Sequence, residues 1–201
     1  MKVQYKGNRK WVTIDPGEYH VTNGDAVIAT LLGSCVSVCL RDPVNNISGM
    51  NHFLLSNRRY SKNIPICQSD AGRYGINSME LMMNKMFRLG ANKSYLKAKA
   101  FGGGNVLPVS QGVSNFFLVG AVNVKFIREF LQTEKIPLLS SALGGDLGRM
   151  IRFSTSDFAV YVKDIGKLRD NSVSKRDQTF WENSLKKREK EEEAVPEAEL
   201  W

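Results

Sequence analysis

The chain has 201 residues, 42% of them hydrophobic, which suits one domain with a sizeable core, or one domain and a tail. No run of about 18 apolar residues exists to read as a transmembrane helix, and the basic start, Met1 to Trp11, leads into no signal-peptide core, so the protein is expected in the cytosol. The formal charge of +8 is uneven: residues 169–201 hold seven Lys or Arg against nine Asp or Glu, which leaves +10 on the rest, a body that suits an acidic partner or nucleic acid as well as it suits a merely solvated surface.

Met1 to Lys10 reads as a flexible basic arm. Trp11 to Ile14 is a short strand stopped by Asp15-Pro16-Gly17, and Tyr19 to Thr22 is another, closed by the turn signal Asn23-Gly24. His20 lies beside that turn and reads as a surface residue. Asp25 to Thr30 then leads into Leu31-Leu32-Gly33-Ser34-Cys35, the alternating run Val36 to Leu40, and a turn-rich segment, Arg41 to Asn46. Ile47 to Leu55 is a second extended run, with His52 inside it. Two β-like runs about a Pro/Asn loop predict a hairpin. Pairing symmetric about that loop sets Leu40 against Ile47 and Cys35 against His52. Opposed residues have Cβ atoms about 4.5–5.5 Å apart, close enough for a thiol and an imidazole to share a proton. A slip of one residue would send the two to opposite faces.

Ser56 to Tyr74 is polar, with Arg58, Arg59, Lys62 and Arg73, and reads as a surface loop that holds Cys67. A helix is expected from about Gly75 to Leu89, where Ile76, Met79, Met82, Met83, Met86 and Phe87 recur at helical spacing and Gly90 is the stop. Its methionine-rich face reads as core rather than as a partner groove. Ser94 to Phe101 is a strand. The run Gly102-Gly103-Gly104-Asn105 lacks the Lys-Ser/Thr of a P-loop and the spacing of a dinucleotide fingerprint, so it reads as a place where backbone approaches backbone or substrate. A second helix, about Gly120 to Lys135, has the stripe Val122, Phe126, Ile127, Phe130 and Leu131, and Pro137 ends it. Leu138 to Leu143 is a strand, Gly144 to Gly148 a turn, and Met150 to Ser154 with Phe158 to Ile165 a final strand pair. From Asp170 the chain is rich in Ser and charge, a solvated helix or disorder. Many strands with two well-separated helices argue for an α+β fold of sheet layers covered by helices.

A thiolate is a nucleophile, and a neighbouring His can take the thiol proton. Gly33 permits a tight backbone before Cys35, and amides near Ser34 and Cys35 are candidate oxyanion donors. Against this, most lone cysteines are small buried hydrophobes. Zinc held by Cys35, Cys39, Cys67 and His52 is rejected: on one strand Cys35 and Cys39 share a face but lie about 13 Å apart, too far for one ion with Zn–S of about 2.3 Å. No cofactor and no metal are expected. No spacing distinguishes a deamidase from a thioesterase or a peptidase on this Cys–His pair.

The blocks LLGSCVSVCLRDP, GMNHFLL, RYG and FGGGNVL, with Gly144-Gly145-Asp146-Leu147-Gly148-Arg149 after them, resemble the chemoreceptor glutamine deamidase family, CheD, over about Asp15 to Ile165. The LGSC and NHFLL blocks at this separation are the specific part. The family uses a Cys, a His and a Thr shortly before the Cys. Cys35 and His52 match these, and Thr30 is the best match for the Thr; some members carry it one residue further from the Cys, where Ala29 stands here. Ser56 occupies a place where the family often has Pro. The resemblance implies a β-sandwich flanked by helices, similar to the catalytic domains of glutamine-deamidating toxins; with the charge pattern, the division expected is a deamidase domain over residues 11–168, an arm at 1–10 and a tail at 169–201. It implies a hydrolase that converts specific glutamines of methyl-accepting chemotaxis receptors to glutamate through a thioester on Cys35, with His52 moving protons and Thr30 orienting His52 or holding the geometry of the site. The same pair is suited to a receptor methyl ester. The implied partners are the cytoplasmic domains of those receptors and a CheC-type phosphatase. The alternatives are a non-catalytic receptor- or phosphatase-binding adaptor, and a nucleic-acid binder, which no motif supports beyond the charge.

Overall fold

Alternation of apolar and polar residues over short runs gives ten strands and two α-helices among the described residues, which in this computed structural model are 1–55, 67, 69–106, 117–165, 179 and 183. In chain order they are β1 (Lys2–Lys6), β2 (Arg9–Thr13), β3 (Tyr19–Thr22), β4 (Ala26–Leu32), β5 (Val36–Asp42), β6 (Ile47–Asn51), α1 (Asp70–Arg88), β7 (Lys97–Gly102), α2 (Phe117–Thr133), β8 (Leu138–Leu143), β9 (Gly148–Ser154) and β10 (Val160–Ile165). The strands form two five-stranded sheets, β1-β2-β4-β9-β10 and β3-β6-β5-β7-β8. Both are mixed: β2 with β4 and β7 with β8 are parallel, and the other pairs are antiparallel.

Three layers result. Val12, Ile28, Ile151 and Phe153 of the first sheet meet Cys39, Met50 and Phe101 of the second in one core. The other face of the second sheet packs Val36, Val38, Leu40 and Ile47 against both helices. Central β5 is thus covered on both faces, and every one of its residues but Arg41 is buried. Met79, Met82, Met83 and Met86 of α1 lie in the second core, as their spacing predicts. Gly49 of β6 lets α1 come close, since a Cβ there would sit 3.1 Å from Met86 Sδ and 3.2 Å from Met82. No helix among the described residues is long and apolar enough to cross a membrane.

Several boundaries differ from the sequence expectation; the strand expected from Ser94 starts only at Lys97, after a 3-10 turn over Lys93–Tyr95. Lys2 to Lys6, placed in a flexible arm on charge alone, is a strand paired with β2 from Lys2↔Thr13 to Lys6↔Arg9. Val3 and Tyr5 favour extended structure, and Gly7, at φ 60°, makes the turn that the Gly-Asn pair signals. Helix α1 begins earlier than expected because the Ser69 side chain caps it, accepting the Gly72 N–H at 3.1 Å. Helix α2 ends before Lys135, which sits at φ 57°. The loop at 56–66 and the charged tail fall outside the described residues, apart from Thr179 and Asn183.

Candidate active site

The β5–β6 hairpin forms, but its register is Leu40↔Gly49 and Cys39↔Met50 rather than Leu40↔Ile47. Arg41 and Asp42 belong to the strand, not the loop. The buried Asp42 carboxylate closes the turn itself, accepting from the Val44 and Asn45 N–H groups at 2.9 and 3.0 Å and from Asn45 Nδ2 at 2.8 Å. The centre of the turn moves by one residue, so the register moves by two. A shift of two keeps every side chain on its face. Val36 pairs with Phe53 through two bonds of 2.9 Å, so Cys35 and His52 are diagonal neighbours on the face toward the first sheet, not directly opposed. Such neighbours lie about 7–8 Å apart.

The first sheet supplies the third side chain. In β4 the inward residues are Ala26, Ile28, Thr30 and Leu32, while Ala29 and Leu31 are half-buried on the outer face. Thr30 Oγ1 lies 2.7 Å from Ile14 O and 2.7 Å from His52 Nδ1. A carbonyl only accepts, so the hydroxyl proton goes to Ile14 and Thr30 accepts from Nδ1–H. The neutral imidazole therefore carries its lone pair on Nε2, the nitrogen a general base uses. The backbone of His52 is fixed as well, its carbonyl accepting from Gly17 N at 2.8 Å and its N–H donating to Glu18 O at 2.9 Å. Thr30, Cys35 and His52 are all buried.

The bend before Cys35 is held by its carbonyls. Gly33 O accepts from Gly104 N at 2.8 Å, Ser34 O from Asn123 Nδ2 at 2.8 Å, and Cys35 O from Gly103 N at 2.7 Å. In a trans peptide the N–H points opposite to the C=O, so the Ser34 and Cys35 N–H groups face away from these anchors. The glycine run is thus an approach of backbone to backbone. At Gly102, φ 109°, a Cβ would stand 2.2 Å from Cys35 O, so only glycine fits. Arg149 explains part of the later glycine block. It is buried, its guanidinium donates to Ala142 O and Gly144 O, and Gly145 O in turn accepts from Asn105 N at 2.7 Å, beside Gly104.

The other two thiols are both held in the protonated form. Burial pushes the Cys39 thiol far above its ordinary range, with Lys99 acting weakly the other way. Cys67 is half-buried, and burial, then Glu129 and Glu134, push it up too. His20, expected on the surface, is half-buried because β3 pairs with β6 and places it opposite Met50; burial and Lys10 lower its pKa. Among the described residues no three His, Cys, Asp or Glu side chains come together to hold a metal ion. Asn51 and Asn123 were not singled out by the sequence, though both touch the backbone around the site. The available signal for Asn123 was an amide three and four residues before Phe126 and Ile127, inside the apolar stripe of α2.

Comparison with known proteins adds the family. The model of the family described as CheD chemotactic sensory transduction matches residues 54–164, which begins after Cys35 and His52. The pairwise relatives extend further. The chain is 50% identical over 201 residues to a probable chemoreceptor glutamine deamidase CheD 1 of Geobacter sulfurreducens, covering all of this chain and 98% of that one. It is 43% identical over 173 residues to a probable chemoreceptor glutamine deamidase CheD 2 of Shewanella oneidensis, covering 86% of this chain and 85% of that one. Similarity of this extent, over a family match of more than half the residues, shows that the chain belongs to the CheD family.

Proposed function

We propose that this protein is a glutamine deamidase that converts glutamine side chains in the cytoplasmic domains of chemoreceptors to glutamate and ammonia. The observation that carries the reading is the Thr30–His52 hydrogen bond of 2.7 Å, which leaves the basic Nε2 on the face that Cys35 shares. The relatives, named as probable chemoreceptor glutamine deamidases, support the substrate class. The sulfur of Cys35 attacks the carboxamide carbon while His52 Nε2 takes the thiol proton. The developing oxyanion is met by amides at the bend, those of Ser34 and Cys35 being the candidates. The protonated imidazole gives its proton to the leaving nitrogen, the C–N bond breaks, and ammonia leaves a thioester on Cys35. A water, deprotonated by His52, attacks that thioester; the C–S bond breaks, and glutamate and the free thiol remain. Thr30 keeps Nδ1–H engaged throughout, which holds the tautomer and the ring. The protein acts in the cytosol with a CheC-type phosphatase as a further partner. In this reading the layered fold is related to glutamine-deamidating toxin domains.

The test is incubation of a purified receptor cytoplasmic domain with the protein, followed by peptide mass spectrometry. Amide-to-acid conversion at particular glutamines, with ammonia released in equal amount and both lost in Cys35→Ala, is the expected result. Binding of the receptor domain without conversion would replace this reading with the adaptor, and conversion of methyl esters alone would make the enzyme an esterase.

A further inference from the structure

The hairpin that carries Cys35 and His52 is not a continuous ladder. Continued from Cys39↔Met50 through Val36↔Phe53, a regular ladder would hydrogen-bond Val38 with Asn51, Val36 with Phe53 and Ser34 with Leu55. The middle pair makes both direct bonds, at 2.9 Å each. On one side the Val38 N–H donates to Asn51 Oδ1 at 3.0 Å, while the Asn51 carbonyl takes the Ser37 hydroxyl. On the other side the Leu55 N–H and the Ser34 carbonyl, which a continuing ladder would join, are joined through a side chain of α2. Asn123 Oδ1 accepts from Leu55 N at 2.8 Å, and Asn123 Nδ2 donates to Ser34 O at 2.8 Å. A primary amide has been inserted where a single N–H···O bond would stand.

Asn123 has no exposed surface, and it sits in a helix whose other deeply buried residues, Phe126, Ile127, Phe130 and Leu131, are apolar. A packing role would be met by an apolar residue, since burying an amide is costly unless its bonds are made. Here both ends are satisfied by backbone atoms one residue from Cys35 and three from His52.

We infer that Asn123 is a positioning residue for the Cys35–His52 pair: its amide props the β5–β6 ladder open at Ser34 and Leu55, and that opening sets where the sulfur stands relative to the imidazole. The inference rests on the reading of Cys35 and His52 as nucleophile and base. It gives a means by which two diagonal neighbours on a hairpin are brought together. It also explains why the bend before Cys35 is tied to a helix rather than to the facing strand.

The experiment follows alkylation of Cys35 by iodoacetamide between about pH 5 and pH 10, read by peptide mass spectrometry, beside kcat and KM on a glutamine peptide. It compares wild type, Asn123→Ala, Asn123→Asp and His52→Gln. Asn123→Ala removes both bonds, and labelling near neutral pH should fall about tenfold, with kcat down at least about tenfold and KM within about twofold. Asn123→Asp keeps the acceptor for Leu55 but loses the donor to Ser34 when ionised, and regains a donor when protonated. Its deficit against wild type should therefore shrink as pH falls, which a packing role would not produce. Folded Asn123 variants with wild-type labelling and kcat would overturn the inference. So would the failure of both variants to fold, which would make Asn123 a core residue only. If His52→Gln shifts the labelling profile and the Asn123 variants do not, positioning alone is wrong. If His52→Gln leaves the profile unchanged, the Cys35–His52 pairing itself falls, and this inference with it.

Discussion

Replacing Thr30 by Val keeps the shape of the side chain and removes the hydroxyl that links His52 to the backbone of Ile14. Two buried contacts of 2.7 Å are lost, and Nδ1–H and Ile14 O are left without that partner. A hydrogen bond contributes about 0.5–1.5 kcal/mol net, and a buried group deprived of its partner costs about 1–3 kcal/mol. The variant should therefore be less stable by about 2–3 kcal/mol, a fall in Tm of about 4–12 °C at this chain length. The kinetic effect is separate. During attack on the amide the imidazole becomes charged, and a bond to a charged donor contributes about 1.5–3 kcal/mol. Losing it in the transition state should lower kcat about 10- to 100-fold, with KM little changed. Ammonia release from a glutamine peptide, measured well below the Tm of the variant, isolates this term. Thr30→Ser retains the hydroxyl and should recover most of the activity. Turnover within about twofold of wild type in folded Thr30→Val, or a Thr30→Ser protein as slow as Thr30→Val, would refute the orienting role.

Cys35→Ala should abolish deamidation with the fold intact, while Cys39→Ala and Cys67→Ala should turn over normally; loss of turnover in either of the latter would move the nucleophile elsewhere. Asp42 accepts from Val44, Asn45 and Asn92, and although burial works against it, these bonds hold its carboxyl below the ordinary range. The stability it supplies is complete above the unfolded carboxyl pKa of about 3.9 and is lost as pH falls through the lower folded value. Asp42→Ala should therefore lower the Tm at pH 7 by an amount worth about 2–4 kcal/mol, with the gap to wild type closing in acid; a gap that stays constant down to strongly acid pH would show that the carboxylate is not the cause. Gly102→Ala places a Cβ 2.2 Å from Cys35 O at φ 109° and should cost at least about 3 kcal/mol, seen as a lower denaturation midpoint. A midpoint equal to wild type would mean that β7 moves aside freely.

The helices and most strands were legible because their periods are strong. The methionine spacing of α1 and the alternation in β5 and β9 are clear, whereas β4 is apolar at every position but Thr30 and its pattern does not mark an inward face. What local pattern misses is chemistry that closes a turn or a helix through one side chain. Ser69 extends α1 by its cap, and Asp42 draws two more residues into β5, which moved the hairpin register by two. Charge misled at the N-terminus, because Lys2 to Lys6 was judged by its lysines and not by Val3, Tyr5 and the turn at Gly7. Asn123 escaped because its partners, Ser34 and Leu55, are far from it in sequence and are backbone atoms, which no side-chain pattern announces.

Cys35 and His52 nevertheless keep the common face that the hairpin expectation gave them, and the reason is parity. A register error of two changes which residues are opposed but not which side they point to, so Cys35 and His52 remain on the inter-sheet face. The same rule decides between the two positions for the threonine. Alternation turns Thr30 inward and Ala29 outward, where Ala29 pairs with Arg152 on the far side of the first sheet. A hydroxyl at position 29 of this chain would point away from His52. In this chain an inward position on β4 is what reaches the imidazole, as Thr30 does. The constraint in this chain is therefore the face of the strand and not the count of residues to Cys35.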